Sequence, residues 1–341
     1  MVGLSSSSMK PSAQKTVTLA AENSAGGRRR AHGSLILSGY YTDLVERGRV
    51  WELGARERVS SPPSIPYCLQ LKSHFTFPGK GSAGQHLCFV TNALGGDIQS
   101  LFAKDGMLSF PLAKRIILHL LGGIAHAHSC GVVHTYLKHD SIFFDTTVST
   151  EDIDKLFASD PSLRHPLENS HDGLVNAAVS HLLPIPTLRE AMQRDFVLDD
   201  FGSAQFIYTC SHKEISPLSL RPPDIIIGGS WDEKVDIWTF GCLIFKLNTG
   251  GALFNFMLYQ IICYTVEGFG TLAGKFFDST CNLKAHPLDY PFDISIKRLK
   301  VIEEADVLPI AALMRLCLRL DPAQRASAAE LLSDPWFHGV E

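Results

Sequence analysis

The sequence predicts an α+β fold in which a small strand-bearing part precedes a large, mainly helical part. Three observations predict it. Two runs, Leu69–Phe77 and Gln85–Thr91, flank Pro78-Gly79-Lys80-Gly81, which is the composition of a turn between paired strands. Leu112, Ile116, Ile117, Leu120, Leu121 and Ile124 then recur at helical spacing. Beyond Val235 the patterns are helical: apolar at Val235–Leu247, amphipathic at Ala305–Leu320, and shorter at Ala326–Leu332 after an Asp-Pro turn.

Taken in order, residues 1–33 are rich in Ser, Ala and Gly and carry Lys10, Lys15 and Arg28-Arg29-Arg30 against a single acid, Glu22. This composition predicts a disordered basic tail. A transit peptide and a basic localisation signal are the alternatives for the same stretch. The strand pair at 69–91 follows. Pro111 opens a helix reaching Cys130, and Gly131 ends it, because glycine tolerates the left-handed backbone after a helix. Residues 146–194 are polar, without strong periodicity and too long for an ordinary connection, so they read as an insert with some local helix.

Composition narrows the functional classes. The chain has 341 residues, 45% apolar and 19% charged, which suits one large domain or two lobes and excludes a wholly disordered chain. A net charge of -4 speaks against a dedicated nucleic-acid binder, which needs a basic surface, so no nucleic-acid partner is expected. No apolar run reaches the roughly 18 residues of a membrane span, so no membrane partner is expected either. Eight cysteines are scattered with no C-x-x-C pair, which signals neither a zinc ribbon nor a dithiol redox site and fits a reducing compartment.

Three segments carry chemistry. They are Val132-Val133-His134-Thr135-Tyr136-Leu137-Lys138-His139-Asp140-Ser141, then Val197-Leu198-Asp199-Asp200-Phe201-Gly202, then Leu220-Arg221-Pro222-Pro223-Asp224 with Asp236-Ile237-Trp238-Thr239-Phe240-Gly241 and Asp321-Pro322-Ala323-Gln324-Arg325. Five elements in this order resemble the eukaryotic protein-kinase family, and within it the branch of SR-protein kinases and their fungal relatives. The resemblance runs from about residue 68 to the C-terminus. It implies a protein-kinase-like two-lobed fold: a truncated or degenerate N-lobe at 34–92 and a mainly helical C-lobe at 93–341, interrupted by the insert.

The resemblance also implies roles. Asp200 matches the D-F-G aspartate that binds magnesium on ATP, since hard cations take oxygen ligands. Lys138 matches the catalytic-loop lysine that neutralises the transferring phosphoryl group. Thr91 falls at the gatekeeper position, with Asn92-Ala93-Leu94 as the hinge whose backbone faces adenine. Asp236 holds the catalytic-loop backbone, and Asp224 pairs with Arg325. Asp in place of Glu at 224 is one methylene shorter, which predicts a looser pair. Thr135 replaces the usual arginine that binds an activation-loop phosphate, which argues against control of that kind. Read bare, Asp200 is a turn cap, Lys138 a surface lysine and the hinge an ordinary strand end; those readings stay open at this point.

The departures are as informative. Tyr136 occupies the catalytic aspartate position, and a phenol, neutral near pH 7, offers no carboxylate base. Ser141 stands where an asparagine holds the second metal, and is a weaker ligand. No G-x-G-x-x-G precedes residue 68, and no lysine lies between Lys15 and Lys72, so the strand lysine that clamps the nucleotide phosphates is missing. Glu52 is the best match to that lysine's helical glutamate partner. Three readings follow. One is a pseudokinase with weak or no phosphotransfer, binding a protein partner or an Arg/Ser-rich segment and retaining ATP and magnesium only if the pocket survives. Another is an active ATP-dependent serine/threonine kinase with an atypical site. The third is a truncated product without a function of its own. A cytoplasmic or nuclear location is expected, with the mitochondrion as the alternative.

Overall fold

The computed structural model describes residues 34–41, 51–78, 85–102, 106–159, 166–170, 173–175, 183–209, 215–226, 229–253, 302–319 and 321–340. The expected basic tail and the Pro78–Gly81 turn, apart from Pro78, lie outside these residues. The chain divides into two units: one made of residues 1–49, 71–93 and 148–181, the other of 50–70, 94–147 and 182–341.

The smaller unit is built on three strands, β1 (Ser34–Tyr41), β2 (Leu71–Pro78) and β3 (Gln85–Asn92), in the order β1-β3-β2. Both pairings are antiparallel, so β2 and β3 form the hairpin that the alternating runs predicted. The inserted stretch contributes α3 (Thr150–Ser159) and a short antiparallel pair, β7 (Glu168–Ser170) with β8 (Gly173–Val175), to this unit.

The larger unit begins with α1 (Glu52–Val59) and continues through β4 (Leu94–Asp97), α2 (Phe110–Ser129), β5 (Val132–Val133) and β6 (Ile142–Asp145). After the insert come α4 (Leu188–Ala191), β9 (Phe196–Leu198), β10 (Gln205–Phe206), α5 (Pro223–Ile226), α6 (Lys234–Thr249), α7 (Glu304–Cys317) and α8 (Ala328–Leu331). The expected single boundary at 92/93 is therefore crossed twice. Residues 50–70 join the helical unit because Ala55 and Val59 of α1 are buried in the same apolar core as Ile116, Leu120 and Ile124 of α2. The middle of the insert joins the strand-bearing unit instead.

The core of the larger unit follows from helical periodicity. Leu112, Ile116, Ile117, Leu120, Leu121 and Ile124 of α2 are all buried, as their spacing predicted. On α6 the burial continues round the helix through Ile237, Trp238, Phe240, Leu243 and Ile244, the signature of a central core helix. Gly131, with φ +73°, follows Cys130 at the end of α2, as expected.

Gly123 on α2 has a different purpose. A Cβ there would stand 2.7 Å from the Tyr67 carbonyl oxygen, so only glycine lets the chain at 67–69 lie against the helix. That chain pairs with β9: the Leu198 N–H donates to the Tyr67 carbonyl (2.8 Å) and the Leu69 N–H to the Leu198 carbonyl (3.0 Å). With β6 on its other side, β9 is held firmly just before Asp199 and Asp200. Among the described residues no helix is long and apolar enough to cross a membrane.

Candidate active site

The site residues leave the ends of neighbouring short strands. The β5 strand, paired with β10, delivers the loop His134–Ser141, and β6 receives it. Because β6 pairs with β9 (Ile142 opposite Leu198), the end of this loop and the Asp199-Asp200 turn emerge side by side. The Asp199 N–H donates to the Ser141 carbonyl at 3.0 Å and fixes their separation.

The loop is anchored from the core. Asp236, in the first turn of α6 and 1% exposed, accepts the backbone N–H of His134 (2.7 Å, Oδ2) and of Thr135 (2.8 Å, Oδ1). The His128 ring lies 3.1 Å from the same Oδ2. These contacts satisfy a buried carboxylate and leave Thr135 with φ +65°, a conformation held by its surroundings. Thr135 also ties down the following segment. Its hydroxyl donates to the Ser203 carbonyl (2.7 Å), and its carbonyl accepts the N–H (2.8 Å) and hydroxyl (3.0 Å) of Ser216.

Lys138 and Asp200 do come together. The Lys138 Nζ is 3.0 Å from Asp140 Oδ2 and 3.5 Å from Asp200 Oδ2, and 5.4 Å from the centre of the Tyr136 ring. Burial works against the ammonium, but the two carboxylates outweigh it and raise the Lys138 pKa above the ordinary value. Burial pushes the Asp200 carboxyl up, against the pull of Lys138. Asp200 has φ +68°, which aspartate tolerates better than most residues.

Tyr136 is half-buried, and its N–H donates to His134 Nδ1 at 3.3 Å. With Nδ1 accepting, the proton of the His134 ring resides on Nε2, which donates to the Asp199 carbonyl at 2.8 Å. Ser141 is fully buried, and its hydroxyl points 3.5 Å from the Tyr136 carbonyl. Asp200 thus offers an oxygen ligand suited to one magnesium ion, whereas Ser141 is turned to the backbone and does not suit a second. Among the described residues no cluster of three or more His, Cys, Asp or Glu side chains could hold a metal by itself.

Thr91 and Asn92 end β3 of the smaller unit, where Thr91 is buried and its hydroxyl donates to the Asn92 carbonyl (3.1 Å). Leu94 opens β4 of the larger unit, opposite Asp145 of β6. The expected loosening of Asp224 against Arg325 is absent. Arg325 is 1% exposed and grips both carboxylate oxygens, Nη2 on Oδ1 and Nη1 on Oδ2, while its Nε donates to the Arg319 carbonyl (2.7 Å). The shorter aspartate still reaches the guanidinium with both of its oxygens.

Glu52 and Asp199 meet through a residue that the motifs did not flag. Arg56, 1% exposed, donates Nε to Glu52 Oε1 (2.7 Å) and Nη2 to Asp199 Oδ1 (2.7 Å). Burial opposes its charge, yet Asp199 and Glu52 together drive its pKa above the ordinary arginine value. The spacing of Glu52 and Arg56, four apart on one helix, was the available signal.

Residues 188–337 match the family model described as protein kinase domain. The chain is 24% identical over 361 residues to the serine/threonine-protein kinase SRPK of Physarum polycephalum, covering 95% of this chain and 83% of that protein. It is 24% identical over 300 residues to the dual specificity protein kinase lkh1 of Schizosaccharomyces pombe, covering 82% of this chain and 39% of the relative. It is 26% identical over 293 residues to the probable serine/threonine-protein kinase clkA of Dictyostelium discoideum, covering 81% and 29%. The chain therefore spans most of the first relative but well under two thirds of the other two.

Proposed function

We propose, from the premise that this chain is an SR-protein-kinase-like protein of the eukaryotic protein kinase fold, that it acts as a pseudokinase: a protein-binding scaffold with severely reduced phosphotransfer. The observation that carries the reading is Tyr136. In a phosphoryl transfer the protein must position a base or orienter for the acceptor hydroxyl, neutralise the phosphoryl oxygens and hold the metal. Lys138 and Asp200 supply the second and third of these, 3.5 Å apart. The position for the first carries a half-buried aromatic ring, and losing a positioned base typically forfeits about 10²–10⁴-fold in rate.

Magnesium with ATP, when bound, would bring the phosphate chain and its charge compensation to Asp200; Lys138 would face the transferred group. Asp140 is not counted as a replacement for the missing base, because it occupies a different position of the motif; its Oδ2 is 3.0 Å from Lys138. The partner in this reading is a protein, as the kinase relatives suggest, and an Arg/Ser-rich segment is the class that the resemblance of the motifs implies.

A second reading, an active serine/threonine kinase with an atypical site, is favoured by the surviving Lys138–Asp200 pair alone. A phosphotransfer assay on the full chain with an Arg/Ser-repeat peptide separates them. Turnover near background supports the scaffold; robust magnesium-dependent turnover that disappears in Asp200→Ala overturns it.

A further inference from the structure

The geometry points to Arg56 as a positioning residue that holds α1 on the Asp199–Phe201 turn without any contribution from nucleotide, a conclusion that rests on the pseudokinase reading of the same site and deepens it. In the family pattern the helical glutamate pairs with a strand lysine that also grips the nucleotide phosphates, so the helix position answers to the nucleotide. This sequence has no lysine between Lys15 and Lys72. Glu52 is nevertheless engaged, and its partner comes from its own helix.

The connection is complete within the larger unit. Arg56 donates Nε to Glu52 Oε1 at 2.7 Å and reaches across with Nη2 to Asp199 Oδ1, also at 2.7 Å. Its guanidinium carbon sits 5.9 Å over the Phe201 ring, and the His134 ring stands 5.1 Å from Phe201. Arg56, Phe201 and His134, the last tilted at 55° to the Phe201 ring, therefore form a continuous run of contacts from α1 through the turn that carries Asp200 to the loop that carries Tyr136. The His134 Nε2–H fastens this run to the Asp199 carbonyl at 2.8 Å.

The chemistry selects arginine for this position. A single planar cation with several fixed donors can serve two carboxylates lying in different directions, which an ammonium on a flexible stem does less well. Glu52, Arg56 and Asp199 are all under 5% exposed, so each carboxylate depends on this cation for its compensation. A link made wholly of the chain's own buried groups has the same strength with and without nucleotide. The helix is thus set permanently in one position, which suits a scaffold that presents a constant surface.

Hydrogen exchange on the full chain tests this. Deleting Arg56 alone strands two buried carboxylates, so the principal variant is the charge-free triple Glu52→Gln, Arg56→Met, Asp199→Asn. Amides of residues 52–59 and 196–201 are expected to exchange about tenfold faster in the triple variant, with α6 unchanged; equal rates at 52–59 overturn the proposal, as does uniform acceleration throughout. Should the triple variant not fold, Arg56→Lys keeps the charge and loses the fork. It is expected to speed exchange at 52–59 about threefold, and no change overturns the proposal. In the natural chain, saturating ATP with magnesium is expected to leave exchange at 52–59 unaltered; tenfold slowing there overturns the ligand independence. Phosphotransfer measured in parallel stands apart: turnover would overturn the pseudokinase reading while leaving the role of Arg56 to the exchange data.

Discussion

Lys138 and Asp200, 62 positions apart in the sequence, are drawn to 3.5 Å by the adjacency of β6 and β9. Neither side chain explains the other from sequence spacing; the strand pairing does. In the reading proposed above, this pair is the phosphate-handling part of the site, and the Tyr136 ring stands 5.4 Å from Lys138 where a carboxylate base would be needed.

Placing a carboxylate at position 136 is the direct test of that reading. Tyr136→Asp is expected to raise phosphotransfer to an Arg/Ser-repeat peptide by about 10²-fold or more over the natural chain. The loop backbone need not move, since its anchors are the N–H groups of His134 and Thr135 on Asp236. A rate that stays at background in a folded Tyr136→Asp protein would place the defect elsewhere, at the missing strand lysine first.

Nucleotide binding is expected to depend on the same pair. If ATP with magnesium raises the melting temperature of the natural chain, the rise should vanish in Asp200→Asn and shrink in Lys138→Met, because a ligand stabilises only in proportion to its affinity for the native state. A shift that survives in Asp200→Asn would assign binding to groups other than this carboxylate.

The Asp224–Arg325 pair is expected to be intolerant in both directions. Arg325→Met leaves Asp224 buried and unpaired, at a cost of about 3–5 kcal/mol. Asp224→Glu inserts a methylene where the two groups are already in contact and is expected to destabilise by about 1–3 kcal/mol. Denaturant midpoints measure both.

His119 gives the protein a pH dependence. Its ring is 1% exposed, and burial, with Arg115 nearby, lowers its pKa from 6.5 to about 4. Its Nδ1 accepts the Phe196 N–H (3.1 Å), which helps to seat β9. The folded state binds its proton more weakly than the unfolded chain, so this contribution is full above pH 6.5 and is lost as the pH falls from 6.5 towards 4. Urea midpoints are expected to drop across that window by an amount equivalent to at most about 3 kcal/mol. In His119→Gln that drop should flatten.

Gly123→Ala would bring a methyl to 2.7 Å from the Tyr67 carbonyl. A loss of about 1–3 kcal/mol is expected from the overpacking, and amide exchange at Leu198 should speed up selectively, because its N–H donates to that same carbonyl.

The helical frame was legible because α2 and α7 bury stripes at the period of a helix and because Pro111 and Gly131 punctuate α2. The hairpin was legible from two runs and a turn. Less readable was the assignment of residues 50–70 to the helical unit, since Ala55 and Val59 reach their core only through packing. Order and spacing single out Tyr136, Lys138, Ser141 and Asp200 in the sequence, and all four lie in the larger unit. Arg56 escaped notice because no motif assigns a residue there, and its meaning depends on Asp199, 143 positions away. The tightness of Asp224 on Arg325 was misjudged for a similar reason: side-chain length was counted, while the approach of the two backbones could not be.

Asp236 takes hold of the loop His134–Ser141 through amide hydrogens, which every residue other than proline possesses. This anchor is therefore indifferent to the side chains at 136 and 141, although His134 and Thr135 add side-chain contacts of their own. Residues 136 and 141 can be exchanged without releasing the amide hydrogens at 134 and 135 that Asp236 holds.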